Sequence, residues 1–201
     1  CISSQAGCGM GCTFCATGQM GFSRHLTSAE IFEQASRFSR ELRRRGERLS
    51  NVVFMGMGEP LANYNNVLEA ARRIHDELGV GARHITISTV GLARGIEKLA
   101  DEDIPVTLAV SLHQADDESR SAIMPVNRRY DLETLLSSIN TYQRKTKRRV
   151  TFEWAAIQGE NDDEQAARKL GKLLKQHSVR DAHVNVIPLN PTKGFSGKKS
   201  S

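Results

Sequence analysis

Cys8-Gly9-Met10-Gly11-Cys12-Thr13-Phe14-Cys15 places three cysteines in the pattern C-x3-C-x2-C near the start of a 201-residue chain. The fourth cysteine is Cys1, so every thiol lies within the first fifteen residues. A disulfide framework spreads its cysteines along a chain to staple loops, whereas clustering points to metal binding in a reducing compartment. Three thiolates on one short loop can hold three corners of a cubane iron–sulfur cluster. Gly7, Gly9 and Gly11 let the backbone wrap closely around such a core. The fourth iron then has no protein ligand and stays open for chemistry. Structural zinc, with Cys1 or His25 as fourth ligand, is the alternative, but zinc sites favour two separated ligand pairs. Ferredoxin runs supply four cysteines per cluster, which this loop does not.

Outward from the loop, the chain reads as alternating strands and helices. A first strand is expected near Cys1–Gln5. Thr27-Ser28-Ala29-Glu30 has the form of a capping box, and Ile31, Ala35, Phe38 and Leu42 follow at helical spacing until Gly46. Residues 51–55 form a short buried-strand pattern. Val67, Leu68, Ala71, Ile74 and Leu78 mark a helical face closed by Gly79. Further strands are expected over residues 84–88, 106–112, 150–157 and 183–187. Further helices are expected over 92–100, 132–142 and 164–177, with a short extra one near 118–123. Six strands with intervening helices imply an α/β fold with a parallel sheet and right-handed crossovers. A full eight-fold barrel takes ~250 residues, so this chain predicts an incomplete barrel.

The unusual residues fall after the strands. Gly58-Glu59 follow one, Ser88-Thr89 end another, Ser111-Leu112-His113 end a third, and Asn190 follows the last. Ligands of parallel α/β folds bind at the carboxyl ends of strands. The cysteine loop also follows a strand, so all these residues are expected on one face. Gly56-Met57-Gly58-Glu59-Pro60 lacks the lysine of a phosphate loop. Its glycines allow close backbone approach to a ligand, and Glu59 could bond an ammonium group; the plain reading is a tight turn with an exposed glutamate. His113 reads as holding a ligand rather than moving protons, against the plain reading of a satisfied polar residue. Phe152 and Trp154 are expected in the core.

The composition excludes several classes. Hydrophobic residues make up 39% of the chain, enough for one core. No apolar run nears the ~18 residues of a membrane-spanning helix, and neither a secretory signal nor an internal repeat is visible. The net charge is +5, from 28 basic and 23 acidic residues. Basic residues crowd Arg37–Arg48, Arg144–Arg149 and Lys193–Lys199, while acidic ones crowd 116–118 and 160–164. Such segregation suits a polyanion such as RNA. It equally suits solvated helix ends, where cations favour C-termini.

Taken together, five motifs resemble one family. The cysteine loop, with an aromatic before its last cysteine, resembles the radical S-adenosylmethionine (radical SAM) enzymes. More narrowly, Cys1-Ile-Ser-Ser-Gln, Cys15-Ala16-Thr17-Gly18, Gly56-Met57-Gly58-Glu59-Pro60 and Ser111-Leu112-His113, with that loop, are similar to the RNA adenine-C2 methyltransferases. The resemblance implies a partial (β/α)6 barrel, a [4Fe–4S] cluster on Cys8, Cys12 and Cys15, and SAM as cofactor. It implies SAM contacts at Gly58, Glu59, Ser88, Ser111, Leu112, His113 and Asn190. Val90 departs from the pattern, where some members have serine. The implied substrates are 23S rRNA and, in some members, tRNA. A flavodoxin- or ferredoxin-like donor would supply electrons to a monomeric enzyme, with no membrane partner. The implied setting is the bacterial cytoplasm, or an organellar matrix or stroma in a eukaryote.

In the family's mechanism a cysteine near the C-terminus takes a methyl from one SAM. A 5′-deoxyadenosyl radical from a second SAM activates that methyl, which adds to adenine C2, a carbon that is not nucleophilic. A second cysteine then resolves the protein–RNA adduct by forming a disulfide with the first. Cys1 matches this resolving, catalytic cysteine; as a residue alone it reads as a small hydrophobe. No cysteine follows Cys15, and the chain opens on Cys1. Residues 1–201 are therefore expected to be one radical SAM core domain cut at both ends and not competent for methyl transfer. The adenine-C8 methylating relatives share these motifs. Glycyl-radical activating enzymes share the cysteine loop, and an RNA-binding module with structural zinc is the non-enzymatic alternative.

Overall fold

The computed structural model describes residues 1–200. Its elements, in chain order, begin with β1 (Gln5–Gly7), α1 (Ala16–Met20), β2 (Phe22–His25) and α2 (Ser28–Arg44). Then come β3 (Val52–Phe54), α3 (Tyr64–Leu78), β4 (Ile85–Thr89), α4 (Ala93–Leu99) and β5 (Thr107–Ser111). The chain continues through α5 (Asp117–Ile123), α6 (Leu132–Thr146), β6 (Val150–Ala156), α7 (Glu164–Gln176) and β7 (Ala182–Pro188). Strands β3 to β7 pair in sequence order as one parallel sheet. Strands linked through helices have this topology because a parallel return needs a long crossover.

The expected first strand differs from the reading above. Six parallel strands were expected, and the regular ladder has five. Residues 2–4 do run beside β3 in the parallel sense, with Ile2 N–H donating to Val53 O and Gly56 N–H to Ile2 O. Ser4 N–H donates to Met57 O, two residues beyond the point a regular ladder would use. This slip ends the pairing, and the chain peels off into β1. There it pairs antiparallel with β2 around the cysteine loop, in a small sheet that no alternation pattern announced.

The sheet core forms on one face, where alternate apolar side chains pack against the helices, while the other face carries Thr86, Ser88, Thr107, Ser111, Thr151 and Glu153. Phe54, Ile85, Ile87, Leu108, Val110, Val150 and Phe152 are buried. The α2 face is set by the capping box: Thr27 Oγ1 accepts from Glu30 N–H while Thr27 N–H donates to the Glu30 carboxylate. Ile31 and Ala35 are then buried, and Phe38 stays exposed. Phe152 and Trp154 lie in the core as expected. Much of the arginine-rich stretch is a solvated helix face, with Arg40 paired to Glu33 and Arg44 and Arg45 paired to Glu41. Among the described residues, no helix is long and apolar enough to cross a membrane.

Candidate functional site

The cysteine loop is clamped at both ends and in its middle. Gly7 turns the chain at φ +76°, where an added Cβ would lie 2.0 Å from Gly21 O. Cys8 N–H donates to that same Gly21 carbonyl. Thr13 N–H donates to Ile123 O at the end of α5, and Cys15 caps α1. Cys8 and Cys12 are buried, and Cys15 is half-buried. Burial pushes the Cys8 thiol up, and it pushes Cys12 up to about 12, with Cys15, Cys8 and Glu59 adding repulsion to a thiolate there. The three thiols thus share one electrostatic neighbourhood. All four cysteines are free.

Among the described residues, no three His, Cys, Asp or Glu side chains converge tightly enough to hold one metal ion. Neither proposed fourth zinc ligand is on hand: His25 Nδ1 faces Gln5 Nε2 at 3.0 Å, and Cys1 lies elsewhere. Three neighbouring thiols on one loop are donors of the kind an iron–sulfur cluster takes.

Beside the loop, the carboxyl ends of the strands enclose a cavity of about 480 Å³. Cys15, Gly58, Glu59, Ser88, Ser111, His113 and Asn190 all line it. The structure thereby brings together residues that lie up to 175 positions apart. Two expected site residues, one a SAM contact and one the resolving cysteine, stand apart from it. Leu112 is fully buried in the main core. Cys1 opens on a groove with Ala35, Phe38, Leu42 and Val52, at the amino end of β3.

Glu59 is buried rather than exposed as a plain turn would have it. Its Oε1 accepts from Leu61 N–H at 2.9 Å and its Oε2 from Val90 N–H at 2.8 Å. Its own N–H donates to Gln5 Oε1 at 2.8 Å. Burial pushes the carboxyl up to about 7, against the pull of these amides. A carboxyl raised in this way takes up a proton unless a cation pairs with its charge. Asn190 is carried on a segment fastened to α1, where Gln19 Nε2 donates to Thr192 Oγ1 and Thr13 O.

His113 adopts φ +60°, a left-handed conformation that costs a non-glycine residue roughly 1–3 kcal/mol. Its N–H donates to Glu153 O, its carbonyl accepts from Asn161 Nδ2 at 2.7 Å, and its Nδ1 accepts from Ala155 N–H at 2.9 Å. Phe14 meets the ring edge-on at 4.9 Å. Burial, then the nearby Arg120, pushes the imidazole down to about 3, so it is neutral.

Sequence reading passed over Arg120 and Asn161. Arg120 is completely buried on α5. Its Nε donates to Leu112 O, its Nη1 to Asn127 Oδ1, and its Nη2 to Val90 O and Ser111 O. One guanidinium therefore ties together the loops after β4 and β5. Desolvation lowers it to about 10, yet leaves it charged. Asn161 was hidden in the acidic run 160–164, which looks like solvated surface, yet it is 3% exposed.

Comparison with known proteins matches this architecture. The sequence fits the Radical SAM superfamily over residues 2–170. It is 54% identical over 202 residues to the dual-specificity RNA methyltransferase RlmN 1 of Myxococcus xanthus, covering all of this chain and 55% of that protein. It is 56% identical over 199 residues to a probable dual-specificity RNA methyltransferase RlmN of Mycolicibacterium vanbaalenii, covering 96% of this chain and 54% of that one. The chain thus spans about half the length of these relatives. The crystal structure of a radical SAM methyltransferase from Sphaerobacter thermophilus superposes with a TM-score of 0.95 at 45% identity, over all of this chain and 59% of that one. With a three-cysteine loop beside a strand-end cavity, and a family match over residues 2–170, the chain belongs to the Radical SAM superfamily.

Proposed function

We propose that this chain is the core of a radical SAM RNA methyltransferase that acts on C2 of an adenine in 23S rRNA and in tRNA. In this reading Cys8, Cys12 and Cys15 would hold a [4Fe–4S] cluster. Such a cluster would supply the electron for reductive cleavage of SAM, the chemistry that a non-nucleophilic carbon demands. Two SAM molecules would serve each turnover, one as methyl donor and one as radical source. The observation that carries the reading is the single cavity joining Cys15 to Glu59, Ser88, Ser111, His113 and Asn190. RNA as substrate is supported by the names of the relatives.

Within that cavity Glu59 binds the ammonium of the methionine moiety, which completes its buried charge. Ser88, Ser111 and Asn190 offer hydroxyl and amide groups to the polar atoms of the ligand. Apolar Phe14, Val90 and Leu189 on the same wall limit water. Cys1 is proposed as the resolving cysteine on the resemblance alone, and its groove lies outside this cavity.

Anaerobic reconstitution should give about four irons per chain, and calorimetry should show SAM binding that Glu59→Ala weakens. Zinc without iron or sulfide would overturn the cluster, and unchanged affinity would remove Glu59 from the site. The RNA reading is tested in cells. A strain lacking the gene should lose 2-methyladenosine from its 23S rRNA and tRNA by nucleoside mass spectrometry, and retention would overturn it.

A further inference from the structure

His113 is caught between the main chain and the cavity, and its partners decide which nitrogen carries the proton. Ala155 N–H faces Nδ1 at 2.9 Å, and a backbone amide can only donate. Nδ1 therefore presents its lone pair, and the neutral ring keeps its proton on Nε2. Among the described residues, the buried side-chain polar atom that lacks any partner is Ser4 Oγ. Nε2 has no partner either, yet it is not sealed off, and His113 lines the cavity. The Nε2–H is thus the open side of the ring.

Burial and the charge that acts on the ring both oppose a second proton. Arg120 on α5 places a positive charge near it. Phe14 packs against it with the two rings nearly perpendicular and 4.9 Å apart. The carboxylate of Glu153, on β6, is taken by Asn185 Nδ2 at 2.7 Å.

The buried Asn161 side chain has an orientation that cannot be reversed. Its Nδ2 donates to His113 O at 2.7 Å and to Ala155 O at 2.9 Å, while its Oδ1 accepts from Ile157 N–H at 2.7 Å. Turning the amide over would set oxygen against two carbonyls and nitrogen against an N–H. Its backbone carbonyl also accepts from Trp154 Nε1 at 3.0 Å. One amide therefore grips both the strained residue and the strand that receives the ring.

We propose that Asn161 is a positioning residue that holds His113 as the Nε2–H tautomer, so that the contact expected of His113 is made as a donor to an acceptor atom of the ligand. The inference rests on reading the cavity as the SAM site. A donor-only ring selects an oxygen or ring nitrogen with a free lone pair, and takes no part in proton transfer.

The test is long-range 1H–15N correlation on 15N-histidine-labelled protein, with the His113 signals among the six histidines identified by their loss in His113→Gln. The expected result is protonated Nε2 and unprotonated Nδ1, unchanged between about pH 5 and 8, the range in which an ordinary histidine titrates. A proton on Nδ1, or titration near the ordinary value, would overturn the inference. Asn161→Asp, which keeps the shape but loses both donors, and Asn161→Ala should each mix the tautomers and weaken SAM binding about tenfold, or 1.4 kcal/mol. A variant that keeps a native amide spectrum, the wild-type ring signals and the wild-type affinity overturns the role of Asn161. Wild-type protein that shows the Nε2–H but binds no SAM supports the tautomer and overturns the ligand reading. Protein that binds SAM with an Nδ1–H ring overturns the inference alone.

Discussion

Glu59 reaches from the loop after β3 to the loop after β4, where its Oε2 accepts the Val90 N–H at 2.8 Å. Its other oxygen closes on Leu61 N–H. The carboxylate is thus a brace between two loops as well as a cavity wall, and its removal should be felt before any ligand is added. Glu59→Gln keeps one acceptor and turns an NH2 group on the other amide. A buried N–H left without a partner costs about 1–3 kcal/mol, so denaturant unfolding of the cluster-free chain should show a loss of that size. An unchanged midpoint would mean the brace carries no load.

Gly58 should tolerate no side chain. It sits at φ +100°, and a Cβ there would lie 2.5 Å from Gln5 Cβ and 2.8 Å from Gln5 N. Gln5 is the residue that holds Glu59 N–H. Gly58→Ala should lower stability by more than ~1 kcal/mol, the usual strain of a left-handed backbone, and should also weaken SAM binding. Thermal unfolding and calorimetry read the two effects, and a variant as stable as wild type would show that the loop can yield.

Cysteine substitutions should divide sharply. Cys12 is buried beside Ile123 and Met124, inside the clamped loop. Cys1 sits in the groove against α2. Cys12→Ala should abolish iron retention after anaerobic reconstitution, while Cys1→Ala should leave iron content and SAM affinity at wild-type values. Loss of iron in Cys1→Ala would place Cys1 among the ligands.

Two buried groups should oppose each other in the pH dependence of stability. Glu59 rises from 4.5 to about 7 on folding, so the folded chain binds the extra proton and stability falls as pH rises through that window. His113 drops from 6.5 to about 3, so the unfolded chain binds the extra proton and stability rises with pH through that window. In the overlap the two slopes cancel. Glu59→Gln should unmask a rise with pH and His113→Gln a fall, each approaching about 1.4 kcal/mol per pH unit. Urea midpoints of the cluster-free chain across pH 5 to 6 check the signs.

Local patterns were the legible part of this sequence. The capping box at Thr27 and the apolar runs of β3 to β6 are short-range signals, and the elements formed within a few residues of their expected bounds. The strand-end placement of Glu59, Ser88, Ser111 and His113 followed from the same alternation. Pairing across the cysteine loop was not legible, because Gln5–Gly7 and Phe22–His25 are too short and too polar to show a period. Charge also misled. Arg120 and Asn161 are residue types that normally face water, and only the tertiary fold surrounds each with carbonyls and amides. The role of Cys1 rests on resemblance, and a match along the chain carries no information about which end of a strand a side chain joins.

The way Arg120 is satisfied separates the frame of the site from its lining. Three of its four bonds go to main-chain oxygens, at Val90, Ser111 and Leu112. Every amino acid supplies a carbonyl, so substitution at Val90 or Ser111 changes what the cavity shows a ligand without withdrawing an acceptor from the guanidinium. The lining is thereby open to retuning by single steps, while the anchor is confined to one residue. An engineer who wished to alter what this cavity accepts would vary positions 90 and 111 and leave position 120 alone.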